Sequence, residues 1–103
     1  MIFIETSLFT KWIGEYLTAD EYMGLQKYLL QSPEAGKIIR GTGGVRKLRW
    51  AASNKGKSGG IRVIYYWKNQ ANEIWLLTVY SKSERENIPS HILRQIAEEV
   101  KRG

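Results

Sequence analysis

The sequence predicts one α+β domain spanning residues 1–103, ordered β-α-α-β-β-β-α. An N-terminal strand and two helices come first, then a three-stranded antiparallel meander and a closing helix. Three observations predict it. Apolar residues recur at helical spacing in the first third and at the C-terminal end, and the middle alternates with a period of two. At 103 residues and 43% apolar, the chain can bury one core without covalent staples.

MIFIE (1–5) is a short strand with Ile2 and Ile4 on one face and Phe3 on the other. Thr6 and Ser7 offer a cap to a first helix, whose stripe is Leu8, Phe9, Trp12, Ile13 and Tyr16. Thr18 to Glu21 form a capping box for a second helix that runs to about Gln31 and stops at Ser32-Pro33. AGKIIRGTGG (35–44) reads as loop. The meander strands are VRKLRWAA from Val45, IRVIYYW (61–67) and IWLLTVY (74–80), joined by the basic turn SNKGKSGG and the polar turn KNQANE. The last helix starts between Ser83 and Ser90, with Pro89 near its first turn and Ile92, Leu93, Ile96 and Val100 on the buried side.

The absence of cysteine excludes disulfides, a thiolate nucleophile and a cysteine-bound zinc, and fits a reducing cytoplasm. Apolar runs such as VIYYW and IWLLTVY are too short to span a bilayer, so neither membrane insertion nor export is expected.

Net charge is +6, and its distribution is uneven. Residues 1–34 carry a net of −3 and residues 73–103 a net of zero, whereas residues 35–72 hold nine bases and no acid. Such a field draws a polyanion, although a solvated basic surface looks the same by charge alone. Alternation puts Lys47 and Arg49 opposite Leu48 and Trp50, and Arg62, Ile64 and Tyr66 opposite Ile61, Val63, Tyr65 and Trp67. In the third strand, Trp75, Leu77 and Val79 oppose Ile74, Leu76, Thr78 and Tyr80. These faces allow Lys47, Arg49, Arg62, Tyr80 and Lys82 to gather over one concave sheet face, with register left open.

Guanidinium groups hold phosphate through paired hydrogen bonds, and a phenol stacks on a base or bonds to phosphate. Arg46, Arg49, Lys55, Lys57 and Tyr66 are therefore candidate RNA contacts. The same groups suit cleavage by the RNA's own 2′-hydroxyl, with Arg62 stabilising charge on phosphorus. An ammonium crowded by other cations parts with its proton more readily, which makes Lys47, Lys57 or Lys82 candidates for proton transfer.

Other motifs read as structure. The GKS at 56–58 has Ala51 where a phosphate-binding loop needs glycine, and it leads into a strand. The GTGG at 41–44 reads as a turn. His91 belongs to the surface of the last helix, and Glu84 and Glu86 to its capping region. Trp12, Trp50, Trp67 and Trp75 are assigned to the core. No metal or cofactor is implied.

GTGGVRKLRW, KGKSGGIRVIYY and LLTVYSKSE, in that order after a strand and a helix pair, resemble the RelE/HigB group of bacterial toxin–antitoxin toxins. The resemblance covers nearly the whole chain and is strongest from Gly41 to Glu84. It implies a RelE-like fold and a cytoplasmic endoribonuclease that cuts messenger RNA in the ribosomal A site. It also implies a cognate antitoxin, in the HigB branch a helix-turn-helix repressor like HigA, through which alone the toxin meets DNA. By position it places the basic pair on Lys47 and Arg49, the arginine opening the next strand on Arg62, and the cation after the last strand on Lys82. RelE has a tyrosine where this chain has Ile88; Tyr80, resembling the YxK ending of the HigB branch, is the substitute, with Tyr66 second. Two alternatives remain open: a ParE-like gyrase inhibitor of the same fold, and a non-catalytic nucleic-acid-binding domain.

Overall fold

The strand IRVIYYWK lies at the centre of the molecule because both of its faces are covered. In the computed structural model, which describes residues 1–51, 60–84 and 88–103, Ile61 to Tyr66 are all buried. The elements are β1 (Ile2–Glu5), α1 (Ser7–Tyr16), α2 (Ala19–Gln31), β2 (Lys37–Ile38), β3 (Val45–Trp50), β4 (Ile61–Lys68), β5 (Glu73–Ser81) and α3 (Ser90–Arg102). They build one five-stranded sheet ordered β1-β5-β4-β3-β2. The meander β3-β4-β5 is antiparallel, as the alternation predicted, and β1 adds to β5 in parallel, so the sheet is mixed.

One face of the sheet carries α1 and α2. Phe9, Ile13, Leu25 and Leu29 pack there on Leu48, Ile61, Val63, Tyr65, Ile74, Leu76 and Val79. Local signals fix both helices. Thr6 caps α1 by accepting from Phe9 N at 3.1 Å. Thr18 and Glu21 form the expected capping box, with bonds of 2.8 and 3.1 Å. The apolar stripe of α1 is wider than the surface it covers: Trp12 is 40% exposed and Leu8 41%, so Trp12 is not core. Trp50 is half-buried and packs at 5.3 Å against the ring of Tyr28.

The other face carries α3, whose Leu93, Ala97 and Val100 pack on Val45, Ile64, Tyr66 and Leu77. Trp75 lies on this face too, against that cluster, and not on the α1–α2 side. Burial of β4 therefore extends to Arg62, Ile64 and Tyr66, the set that alternation alone placed outward. Sequence reading also missed β2, whose two residues pair Lys37 with Lys47 and Ile38 with Arg46. So short an edge strand leaves no periodic signal.

The third departure matters most for function. Between Ile64 and Tyr65 the β4–β5 register shifts, from Ile64↔Thr78 to Tyr65↔Leu76, leaving Leu77 without a partner on β4. This β-bulge resets the alternation, so Val79 joins Ile74 and Leu76 beneath the helices while Tyr80 turns to the α3 side. An unbroken strand would have put Tyr80 under α1 and α2. The hydroxyl of Thr6 donates to the carbonyl of Leu77 at 2.7 Å, giving the bulged residue a partner.

Candidate nucleic-acid interface

α3 covers one end of its sheet face and leaves the other end open. At that end the register assembles two cross-strand rows. The first is Arg49 on β3, Arg62 on β4 and Tyr80 on β5. The second is Lys37 on β2, Lys47 on β3, Ile64 on β4 and Thr78 on β5. Ala35, Lys37, Lys47, Leu48, Arg49 and Arg62 line a groove of about 540 Å³ over these rows. Among the described residues, the groove lining contains no acid. Like charges thus stand directly opposite one another twice, Lys37 against Lys47 and Arg49 against Arg62, an arrangement that opposes folding. A bound anion relieves it.

Arg62 differs from its neighbours in burial. Lys37, Lys47 and Arg49 are exposed, whereas Arg62 is 9% exposed. Its Nη1 donates to the Ile61 carbonyl at 3.5 Å. A guanidinium held at the floor of a groove, screened from bulk water, meets an anionic ligand at a lower effective dielectric than a surface cation does. Tyr80 is half-buried and leans on the α3-side core. Lys82 is exposed on the turn after β5, with its backbone N–H donating to Gly60 O at 3.1 Å, two pairs beyond Arg62 and Tyr80.

That turn is organised by Glu84. The carboxylate Oε1 accepts from Ser81 N at 3.1 Å, from Ser81 Oγ at 2.8 Å and from the phenol of Tyr16. Because α3 begins only at Ser90, Glu84 anchors a turn and does not cap the helix. Burial, followed by the bond to Glu84 and its charge, pushes the Tyr16 phenol up from 10.0 to about 12. The phenol therefore stays a donor across the neutral range.

Two expected RNA contacts lie away from the groove. Arg46 points to the α1–α2 side, where its Nη1 donates to the carbonyls of Glu34 at 3.0 Å and Gly36 at 2.8 Å. Tyr66 is buried under α3, with Lys101 Nζ 5.9 Å from its ring centroid. Lys55 and Lys57 lie outside the described residues. Lys37, in contrast, lines the groove without having been singled out; the alternation that exposed Lys47 and Arg49 had no counterpart in so brief a strand. His91 is exposed on α3. Among the described residues, no group of three His, Cys, Asp or Glu is placed to hold a metal ion, and no helix is long and apolar enough to cross a membrane.

The family model described as the RelE toxin of the RelE/RelB toxin–antitoxin system matches residues 4–102. The chain belongs to this family. Three solved structures share the RelE fold with it. The intact RelBE toxin–antitoxin complex of Escherichia coli contains a chain 24% identical, with a TM-score of 0.54 over 82% of this chain and 98% of that one. A free-state Escherichia coli RelE with two arginines replaced by alanine is 20% identical, with a TM-score of 0.57 over 92% and 96%. Isolated Escherichia coli RelE is 23% identical, with a TM-score of 0.54 over 98% and 96%. In this RelE-family chain, Ile88 stands half-buried against the α3-side core, the same cluster on which Tyr80 leans.

Proposed function

We propose that the protein is a toxin that cuts messenger RNA in the ribosomal A site by attack of the RNA's own 2′-hydroxyl. The observation that carries this reading is the row Arg49–Arg62–Tyr80, flanked by Lys47 and formed across three strands at a groove whose described lining holds four cations and no acid. In the reaction the 2′-oxygen bonds to phosphorus as its proton leaves, and the bond to the 5′-oxygen breaks as that oxygen gains a proton. Arg62 stabilises the extra negative charge on phosphorus. Tyr80, Lys47 and Lys82 move the protons, and the Tyr80 ring can also stack on the base. Arg49 holds the backbone on either side of the reacting phosphate.

Few acid–base groups line this site, so the ribosome supplies the orientation of the message. A cognate antitoxin holds the toxin inactive; the likeness to the toxin chain of RelBE supports such a partner. A helix-turn-helix antitoxin of the HigA type would be the toxin's only link to DNA. The toxin acts in the cytoplasm, where its target is.

Inducible expression with primer extension on a reporter message tests the proposal. Wild type should produce cuts confined to the translated region, and Arg62→Ala should produce none. Growth arrest without message cleavage would favour a ParE-like gyrase inhibitor. Binding to RNA without arrest would favour a non-catalytic domain.

A further inference from the structure

We propose that residues 33–38 form a clamped arm whose Lys37, together with Lys47, makes a phosphate-binding subsite for single-stranded RNA, and that Tyr65 and Arg46 are its positioning residues. The proposal rests on the nucleic-acid reading of the groove and extends it to residues that reading leaves unused.

Both residues of β2 are exposed, Ile38 by 58%, so the strand adds little to the core. The segment before it is nonetheless fixed by four hydrogen bonds from side chains of β3 and β4. The phenol of Tyr65, itself fully buried, donates to Pro33 O at 2.7 Å and accepts from Gly36 N at 2.9 Å. Arg46 Nη1 closes the same segment through the carbonyls of Glu34 and Gly36, at 3.0 and 2.8 Å. Gly36 is packed so closely that a Cβ there would lie 2.8 Å from the Tyr65 ring and 3.1 Å from Lys47 O. Only glycine fits this approach. Burial pushes the Tyr65 phenol up, keeping it a donor at physiological pH.

The clamp therefore serves what the arm presents. It sets Lys37 directly opposite Lys47, where Cβ atoms of facing residues stand about 5 Å apart. Two lysine side chains rooted at that spacing, over a groove with no acid among its described lining residues, repel one another until an anion lies between them. The arm thus extends the RNA track across β2, past the row that holds Arg62. A phosphate neighbouring the reacting one is the matching ligand.

Tyr65→Phe provides a clean test because it removes the Tyr65 half of the clamp without altering charge. Binding of a fluorescent single-stranded RNA, 2′-O-methylated throughout so that it cannot be cut, is measured by anisotropy across a salt series. Lys37→Ala should weaken binding and flatten the slope of log K against log salt by about one. Tyr65→Phe should flatten it in the same direction, and Lys37→Ala combined with Tyr65→Phe should do no more than Lys37→Ala alone. Arg46→Lys, which keeps the charge and gives up the guanidinium that reaches the Glu34 and Gly36 carbonyls, should repeat the result through the other half of the clamp, and serves if the tyrosine variant fails to fold. Clamp variants that stay folded with a wild-type slope, or losses that add in the double variant, would overturn the arm. A Lys37→Ala protein with the wild-type slope would remove the subsite alone. A wild type with no salt-dependent RNA affinity would remove the nucleic-acid reading and the subsite with it.

Discussion

The phenol of Tyr16 ties α1 to the turn that follows β5 through a hydrogen bond to Glu84. The bond requires a protonated phenol, and folding raises the pKa from 10.0 to about 12. The folded form therefore holds this proton more tightly than the unfolded chain does. The resulting stability is complete below pH 10 and is lost as pH rises towards 12. Tyr22 shifts upward as well, through burial and its 2.6 Å bond to Glu5, and Tyr65 through burial. Melting temperature should accordingly fall through that alkaline interval in wild type and fall less steeply in Tyr16→Phe. Identical alkaline profiles would show that the Tyr16 bond does not hold the turn.

Among the elements, β5 shows how a local irregularity sets a functional face. Leu77 is the extra residue, and its carbonyl is bonded by the same Thr6 hydroxyl that caps α1. Replacing Thr6 with alanine removes a helix cap and leaves that carbonyl without this donor. Together these should cost about 2 kcal/mol. In urea the midpoint should drop with the slope unchanged, and Thr6→Ser should recover most of the loss. A neutral Thr6→Ala would mean that the bulge is held by packing alone.

The same element marks the boundary of what sequence conveys. Strand and helix identities followed from periodicity, and Thr18-Ala-Asp-Glu21 announced its helix through capping chemistry. Lys47 and Arg49 were readable as one face because β3 alternates without interruption. Tyr80 pairs with Arg62 across the strands, yet strict alternation groups it with Ile74 and Leu76; the bulge, a matter of pairing between strands, separates them. Arg46 carried the charge expected of an RNA contact and is instead bonded to carbonyls of the α2–β2 segment, an assignment that depends on chain neighbours distant in sequence. Trp12 matched a helical stripe, but the sheet is too narrow to cover it.

At the scale of the whole molecule, the sheet is loaded asymmetrically. One face is sealed by a helix pair and the other is only partly covered by α3, and the uncovered end collects the cations. Lys47 and Arg49 oppose other cations across the strands, so their joint replacement by alanine should leave melting temperature unchanged or raise it. The same double variant should bind RNA or ribosomes with a shallower salt dependence. Loss of folding in that variant would contradict the outward placement of these side chains. The unevenness of charge along the chain thus becomes a separation in space: residues 1–34, net negative, form β1 and the α1–α2 layer, and Lys37 of β2, Lys47 and Arg49 of β3 and Arg62 of β4 line the open groove.

The proposed activity is that the Arg49–Arg62–Tyr80 row cuts RNA on the ribosome. Purified protein added to stalled ribosomes carrying a defined message, with the RNA ends mapped, tests it most directly. Wild type should cleave at the A-site codon, and Arg62→Ala, folded by its thermal melt, should lose cleavage by a factor of about 100 or more. A folded Arg62→Ala protein that cuts the message at the wild-type rate would contradict the claim.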